Sequence, residues 1–329
     1  MPIAFIMSIE KLLTFQEFVT HVQEEIGQEI GRQIKDRNII YALEGGKHLR
    51  PIMLMLSFRV CNGGSDRYGK ALESALGIEL AHSASLVHDD IMDGDTTRRG
   101  KPALYVKSGI GNAILTGHRM ISKAFRISVE HGLDNALIFL DTWDETLVGQ
   151  IEDIDLNGHL EKIFRDGSSP ETLIREYIKV MEMKTASLFA TACRAGAIEA
   201  QAPAEVRTVM AEYGRNVGLA YQLADDLVDI AEGRLEEGII MPLINAYGKN
   251  LSGEIIGMLK SGEISLEEEL DRRGISLQEV YRKGIVTYVN KAQEIANSPL
   301  IPDTIYKPLL EEAPLYITNR MAEKVGVTI

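Results

Sequence analysis

Residues 79–93 read ELAHSASLVHDDIMD, an apolar stretch that ends in a cluster of aspartates. Its apolar residues recur three and four positions apart, which is typical of a helix. Asp89 and Asp93 are separated by about one helical turn, so their carboxylates project from the same face. The stretch predicts a buried helix that presents a pair of carboxylates near its C-terminal end.

A second stretch repeats this arrangement, because AYQLADDLVD at residues 220–229 ends in Asp225, Asp226 and Asp229. Crowded carboxylates repel one another, and the helix macrodipole disfavours anions at a C-terminus, so a bound cation would relieve both conflicts. An oxygen-only ligand set favours Mg²⁺, whose coordination is commonly completed by water and substrate phosphate. A single motif would fit a solvated helix face equally well. Two copies predict a Mg²⁺ site that binds a diphosphate.

The overall composition limits the classes of partner. The formal net charge of −13 argues against nucleic acid and anionic membrane surfaces. Cys61 and Cys193 are too few for a disulfide framework and lack metal-ligand spacing, so we expect a reducing, cytoplasmic location. The apolar run Met1–Met7 is too short for a signal peptide, and no stretch is apolar enough to span a membrane. Because no segment is linker-like, residues 1–329 are predicted to form one domain.

Helical periodicity extends over most of the chain, with glycine- and proline-containing breaks between the segments. The predicted helices are residues 9–35, 51–61, 68–92, 111–131, 133–155, 171–198, 204–230, 238–260 and 276–297. Alternating strand patterns beside tight turns are lacking, so the fold class is predicted to be all-α, a single large helical bundle. Because the helices at 68–92 and 204–230 each end in an acid motif, we expect the motifs to face each other across a central cavity.

Three basic clusters are candidates for binding phosphate. GGKHLRP at residues 45–51 combines a glycine pair with two cations, just before a helix opened by proline. Arg98 and Arg99 follow the first acid motif, and adjacent guanidinium groups can reach two separate phosphates. Lys184 interrupts an apolar helix, where an unpaired ammonium would be costly unless it faced a polar cavity. A glycine turn with incidental surface charges would also explain the first cluster.

These motifs resemble those of the trans-type isoprenyl diphosphate synthases, the polyprenyl synthetase family, over roughly residues 37–247. The matching segments follow the order and approximate spacing of the family: GGKHLRP at 45–51, ELAHSASLVHDDIMD at 79–93, TRRGKP at 97–102, GQIEDID at 149–155, MKTASLF at 183–189 and AYQLADDLVD at 220–229. The resemblance implies an isoprenoid synthase fold around a central cavity, and transfer of an allylic prenyl group to isopentenyl diphosphate. A homodimer is also expected.

The resemblance further implies roles for individual residues. Mg²⁺ on the allylic diphosphate would be held by Asp89, Asp93 and Asp225, with Asp90 and Asp229 in support. The allylic substrate would contact Arg98, Lys184, Thr185 and Gln222. Isopentenyl diphosphate would be held by Lys47, Arg50, His82 and Arg99. Such cations in a dry pocket suit ionisation of the carbon–oxygen bond without a side-chain nucleophile.

The chain departs from the family pattern at several positions. Tyr105 and Gly117-His118 stand where the family has His-Asp-type residues and Gly-Asp. The segment at 231–242, after the second motif, is short and has isoleucines where lysines are expected, which predicts slower or less selective turnover. Arg234 is the cation in that segment. Two other functions stay open: a non-catalytic subunit of a heteromeric synthase, and a terpene cyclase or prenyltransferase with another acceptor.

Product length is the remaining expectation from the sequence. Ala84 and Ser85 lie about one turn before Asp89, and Ala81 and Ile78 precede them. None of these side chains is aromatic, so none would block a channel beneath the metal site. Since each helical turn rises about 5.4 Å, roughly one isoprene unit, we expect a product of about C20 or longer. Geranylgeranyl diphosphate is the first candidate.

Overall fold

The computed structural model describes residues 14–165, 169–234 and 240–329, and these residues are mainly helical. The helices within them are α1 (Phe15–Gln33), α2 (Arg37–Leu43), α3 (Leu49–Val60), α4 (Tyr68–Asp93), α5 (Leu104–Ser108), α6 (Ile110–Glu130), α7 (Leu133–Arg165), α8 (Pro170–Met181), α9 (Ser187–Glu199), α10 (Ala204–Ala231), α11 (Ile240–Tyr247), α12 (Gly253–Ser261), α13 (Leu266–Arg272), α14 (Leu277–Ala296) and α15 (Lys307–Ala322). A π-helical turn at Glu182–Ala186 joins α8 to α9, and 3₁₀ turns lie at Gly248–Asn250 and Glu323–Val325. The strands described are β1 (Thr97–Arg98) and β2 (Lys101–Pro102), which form a small hairpin.

The all-α prediction is confirmed, and every predicted segment contains helix in the described residues. Two segments are not single α-helices: 171–198 is α8 and α9 joined by the π-helical turn, and 238–260 is α11 and α12 separated at residues 248–252. The run Met1–Met7 and the predicted helical positions 9–13 and 238–239 lie outside those residues. Four helices were not predicted. Of these, α2, α5 and α13 are too short to establish a periodicity. The fourth, α15, contains Pro314, a residue that normally interrupts a helix.

The hairpin is a local exception to the all-helical pattern. Thr97 pairs with Pro102 and Arg98 with Lys101. Arg99 and Gly100 form the turn with φ values of 54° and 74°, the left-handed conformation that two-residue hairpin turns require. Glycine adopts this conformation readily, whereas arginine does so rarely, so other contacts must hold Arg99 in place.

The chain divides into two compact units. Unit 1 comprises Met1–Thr142, Leu188–Gly214 and Ala296–Leu310. Within it, α4 packs chiefly against α6 and α3. Buried alanines such as Ala71 and Ala75 allow this close packing.

Unit 2 comprises Trp143–Ser187, Arg215–Ile295 and Glu311–Ile329. Its hydrophobic core is formed mainly by α8, α10, α11 and α14, and includes the fully buried side chains of Tyr177 and Tyr281. The single domain expected for residues 1–329 stays a prediction. None of the described helices combines the length and the apolar content needed to cross a membrane.

Candidate active site

The first acid motif forms the last turn of α4, which ends where Gly94 adopts the left-handed conformation. Its three acids differ in exposure: Asp90 is buried, Asp89 is half-buried and Asp93 is exposed. Asp90 accepts a hydrogen bond of 2.7 Å from Nε of Arg98 and lies 2.5 Å from its Nη2 atom. Burial raises the pKa of Asp90, and Arg98 opposes that shift. Asp90 therefore anchors Arg98, while the outer two acids keep the more accessible oxygens.

Arg50 and His82, which are both predicted to hold isopentenyl diphosphate, lie in contact with each other. Nη1 of the buried Arg50 lies 3.0 Å from Nε2 of His82, and its guanidinium group lies 4.6 Å from the ring centre of Phe189. Burial, followed by the charges of Arg50 and Arg99, lowers the pKa of His82 well below 6.5, so the ring is neutral. Because arginine only donates, Nε2 of His82 is the acceptor and Nδ1 carries the proton.

Close contacts with Arg99 shape the GGKHLRP loop. A Cβ atom at Gly46 would lie 3.0 Å from Oε1 of Glu79 and 3.1 Å from Nη1 of Arg99, so only glycine fits easily. Arg99 donates to two carbonyl oxygens in the last turn of α2, each at 3.2 Å, and Nδ1 of His48 lies 3.2 Å from Glu79. Glu79 is a buried acid that the sequence interpretation missed. Lys47 is exposed, and its carbonyl oxygen accepts a hydrogen bond from Gln23.

The second acid motif lies in the last turns of α10 and repeats the division seen in the first. Asp226 is buried, whereas Asp225 and Asp229 are half-buried. The carboxylate of Asp226 accepts hydrogen bonds from the hydroxyl group of Tyr177 and, at 2.8 Å, from Nε2 of Gln222. Burial raises the pKa of Asp226 to about 7, although both hydrogen bonds act to lower it. The hydrogen-bond donors to Asp226 are therefore neutral, whereas the donor to Asp90 in the first motif is the cation Arg98.

Lys184 and Thr185 lie in the π-helical turn, a feature often found at functional sites. Nζ of Lys184 donates to Asp153 on α7 at 2.7 Å, and the hydroxyl group of Thr185 donates to Gln222 at 2.6 Å. Lys184 is therefore paired, and Asp153 offsets the cost of placing its ammonium group in an apolar helix. The expectation that Lys184 faces a polar cavity stays a prediction. A Cβ atom at Gly149 would lie 2.9 Å from the Lys184 backbone nitrogen, so Gly149 lets α7 approach the turn.

Sequence reasoning assigned no role to Gly149 or Asp153. Both belong to the GQIEDID segment, and their spacing of four residues places them on one face of α7. This spacing is the feature of the sequence that would have indicated a shared contact for the two residues.

Arg234 follows α10 and binds the second acid motif. Its Nη2 atom contacts Asp229, and Nη1 lies 2.7 Å from Glu232. These interactions raise the pKa of Arg234, with Asp229 the main cause. Residues 235–239 of the shortened segment lie outside the described residues. The described part shows an arginine paired with a predicted metal ligand.

The predicted metal ligands fit a hard divalent cation, because they offer oxygen atoms only. In both motifs the outer acids, Asp89 with Asp93 and Asp225 with Asp229, are less buried than the middle acid. Among the residues whose positions are described, no three His, Cys, Asp or Glu side chains converge as a ready-made metal site. Each helix therefore offers two carboxylates, and water and phosphate would complete the coordination. The expectation that the two motifs face each other stays a prediction.

A family model described as polyprenyl synthetase matches residues 32–239. The chain belongs to this family. A geranylgeranyl diphosphate synthase of Methanosarcina mazei is 35% identical over 241 residues, which is 68% of this chain and 69% of the relative. A geranylfarnesyl diphosphate synthase of the same organism is 32% identical over 213 residues, covering 64% and 68% of the two chains. The solved geranylgeranyl pyrophosphate synthetase of Pyrococcus horikoshii superposes with a TM-score of 0.74 at 26% identity, covering 93% and 99%.

For this polyprenyl synthetase, the matches confirm the predicted family, the isoprenoid synthase type of fold and a prenyl-transferring enzyme. The roles of individual residues stay predictions. The structure brings together Arg50 with His82, and Thr185 with Gln222. It pairs Arg98 with an acid of the first motif.

Proposed function

We propose that this polyprenyl synthetase condenses isopentenyl diphosphate with an allylic diphosphate in a Mg²⁺-dependent reaction. The observation that carries the proposal is the shared arrangement of the two acid motifs. In each, the middle acid is buried among hydrogen-bond donors, and the outer pair keeps more accessible oxygens. Two such carboxylate pairs suit Mg²⁺ whose remaining coordination positions are filled by oxygen atoms of the substrate diphosphate.

The outer acids, Asp89, Asp93, Asp225 and Asp229, are the residues that would hold Mg²⁺. When bound, Mg²⁺ would neutralise charge on the diphosphate leaving group. Arg98, Lys184, Thr185 and Gln222 would hold the allylic substrate through charge and hydrogen bonds. The neighbouring carboxylates of Asp90 and Asp153 orient Arg98 and Lys184, so little reorganisation is needed when the carbon–oxygen bond ionises.

Isopentenyl diphosphate would be bound by Lys47, Arg50, His82 and Arg99. Arg50 supplies a buried positive charge, and the neutral His82 adds hydrogen-bonding capacity without a second charge. Lys47 is exposed and can approach the diphosphate from solvent. A terpene cyclase would have little use for this second set of phosphate ligands, which favours an isopentenyl acceptor.

The expected product is about C20 or longer. With about 100° of rotation per residue, Ser85 and His82 share the face of α4 that carries Asp89, whereas Ala84 lies well round the helix. Ser85 is half-buried, and Ala84 is fully buried. Its place on the face of Asp89 and its partial exposure support Ser85 as the more direct position for limiting chain growth. Relatives named as geranylgeranyl and geranylfarnesyl synthases are consistent with this range of lengths.

We also propose a homodimer. Large exposed apolar side chains recur along one helix, α7, at Leu133, Leu137, Leu140, Leu147, Val148, Ile151 and Ile154. On α6, Ile110, Ile114 and Leu115 are exposed as well. Isolated exposed leucines are ordinary, but a row at helical spacing is typical of a face that packs against a partner.

The function can be tested by incubating the purified chain with Mg²⁺, isopentenyl diphosphate and allylic diphosphates of increasing length, and identifying the products by mass. We expect products extended by five-carbon units up to about C20 or beyond. Cyclised hydrocarbons would instead support a terpene cyclase. Turnover that requires a second protein would support a subunit of a heteromeric synthase.

A further inference from the structure

The middle acid of the second motif lies within a buried hydrogen-bond network of unit 2. Asp226, on α10, is 6% exposed, and Tyr177, on α8, is 1% exposed. The tyrosine hydroxyl group donates to one carboxylate oxygen, and Nε2 of Gln222 donates to the other. Tyr281, which is also fully buried, lies in the same core, and its hydroxyl group interacts with that of Tyr177. This carboxylate is therefore held from two sides inside the protein.

The network continues from Gln222 to the π-helical turn. Oε1 of Gln222 accepts from the hydroxyl group of Thr185 at 2.6 Å. Nε2 of Gln222 donates to Asp226, so the amide oxygen is the atom that faces Thr185. The hydrogen bonds thus converge on Asp226: Thr185 donates to Gln222, Gln222 donates to Asp226, and Tyr177 donates to Asp226 from the other side. The network links α8, α10 and the turn.

The orientation of the Asp226 side chain also determines how the side chains of Asp225 and Asp229 are oriented around α10. On an α-helix, Asp225 and Asp229 lie within about 40° of each other, and Asp226 is rotated by about 100° from Asp225. Fixing Asp226 towards the core therefore fixes the rotation of this last part of α10. It also keeps the buried carboxylate from turning outwards, where it would compete for the same cation.

We propose that Tyr177 is a positioning residue that orients the second acid motif for binding a divalent cation. The inference rests on the proposed function, since it concerns the same metal ligands. Nothing in the motifs singled out Tyr177, which lies in α8 outside every matching segment. Arg98 has the corresponding position beside Asp90 in the first motif, but it is a cation and a predicted substrate ligand. Tyr177 is neutral and buried, and its hydroxyl group donates to the carboxylate of Asp226.

The experiment compares Tyr177→Phe with Tyr213→Phe. Tyr213 is a matched control, because it is equally buried but lies in unit 1 and donates to the carbonyl oxygen of Leu310. Binding of Mn²⁺, in place of Mg²⁺, is measured by electron paramagnetic resonance in the presence of inorganic diphosphate, and thermal unfolding is recorded for each variant. Removing a residue that orients metal ligands typically weakens metal binding by about 10- to 100-fold.

We expect Tyr177→Phe to weaken Mn²⁺ binding by about 10-fold or more, and to raise the Mg²⁺ concentration needed for half-maximal turnover more than it lowers kcat at saturating Mg²⁺. Tyr213→Phe should bind Mn²⁺ within about twofold of the wild type. Equal Mn²⁺ affinity in Tyr177→Phe and the wild type would overturn the inference while leaving the proposed function intact. A wild-type chain that does not bind Mn²⁺ with diphosphate would overturn the proposed function itself.

A second variant covers the case in which Tyr177→Phe does not fold. Tyr281→Phe removes the hydroxyl group that contacts Tyr177 and leaves Tyr177 in place. Weaker Mn²⁺ binding by about threefold or more would support the positioning role. Affinity within about twofold of the wild type would then count against it.

Discussion

Asp89 and Asp225 are the first acids of two motifs that end long helices. We expect Asp89→Asn or Asp225→Asn to lower kcat/KM by about 100-fold or more, because each removes a charge that would hold Mg²⁺ on the leaving group. Thermal unfolding should change little, since each variant also relieves repulsion among neighbouring carboxylates. Asp303→Asn, at an exposed site elsewhere, is the control. Wild-type turnover in either motif variant, or full activity in EDTA, would contradict the metal assignment.

We also expect single residues of α4 to influence product length. We expect Ser85→Phe to shift the products towards C15, because the ring would extend from the helix face that carries Asp89. Ala84→Phe should shift them in the same direction only if the fully buried site accepts the larger side chain, so its thermal stability must be measured too. Products are identified by mass. An unchanged distribution in a well-folded Ser85→Phe would place the end of the channel elsewhere.

At the scale of elements, the contact between α7 and the π-helical turn is a sensitive point. A Cβ atom at Gly149 would lie 2.8 Å from Cβ of Met183 and 2.9 Å from the Lys184 backbone nitrogen. We expect Gly149→Ala to destabilise the fold by about 1–3 kcal/mol and to raise the KM for the allylic substrate, because the turn must move. Gly27→Ala, on an open face of α1, should be neutral or stabilising. Urea unfolding and steady-state kinetics measure both effects, and an unaltered KM in Gly149→Ala would show that the turn is not critical.

The sequence was informative about long elements and weak on contacts between them. Helical periodicity predicted α4 and α10, and the acid motifs at their ends were correctly placed. The π-helical turn was not predicted, because side-chain periodicity does not show a local change of hydrogen-bond register. Its close neighbour Gly149 lies far away in the sequence. The inward orientation of Asp90 and Asp226 was missed for a related reason. Identical DDxxD letters do not show which acid has a buried partner.

Stability of the whole molecule should depend on pH through a buried network in unit 1. Glu199 is fully buried and accepts hydrogen bonds from Ser74, Asn135 and, at 2.8 Å, His131. Burial acts to lower the pKa of His131, but hydrogen bonds and charge from Glu199 and Glu73 outweigh it and raise the pKa above 6.5. Protonated His131 therefore favours the folded state. Its contribution is complete below about pH 6.5 and is lost as the pH rises through the folded-state pKa.

We accordingly expect His131→Gln to reduce the free energy of unfolding by about 1–3 kcal/mol at pH 5.5, with a smaller loss at pH 8.5. Urea unfolding of variant and wild type across this range gives the difference directly. A loss that is independent of pH would mean that His131 acts only through uncharged hydrogen bonds.

Assembly is the second property of the whole molecule. We expect Leu137→Glu to convert the proposed dimer into a monomer in sedimentation velocity, because a charge would have to be buried in an apolar contact. Leu300→Glu is a matched control, since Leu300 and Leu137 are 49% and 48% exposed. A wild-type monomer, or a Leu137→Glu dimer as stable as the wild type, would place the interface elsewhere or remove it.

The central claim is that this chain alone transfers an allylic prenyl group to isopentenyl diphosphate. It is tested most directly by following radiolabelled isopentenyl diphosphate into an extractable prenyl product, using the purified chain with farnesyl diphosphate. We expect incorporation that requires Mg²⁺ and the allylic substrate together, and that falls to background in Asp89→Asn and Asp225→Asn. No incorporation by the wild-type chain, with both substrates and Mg²⁺ present, would contradict it.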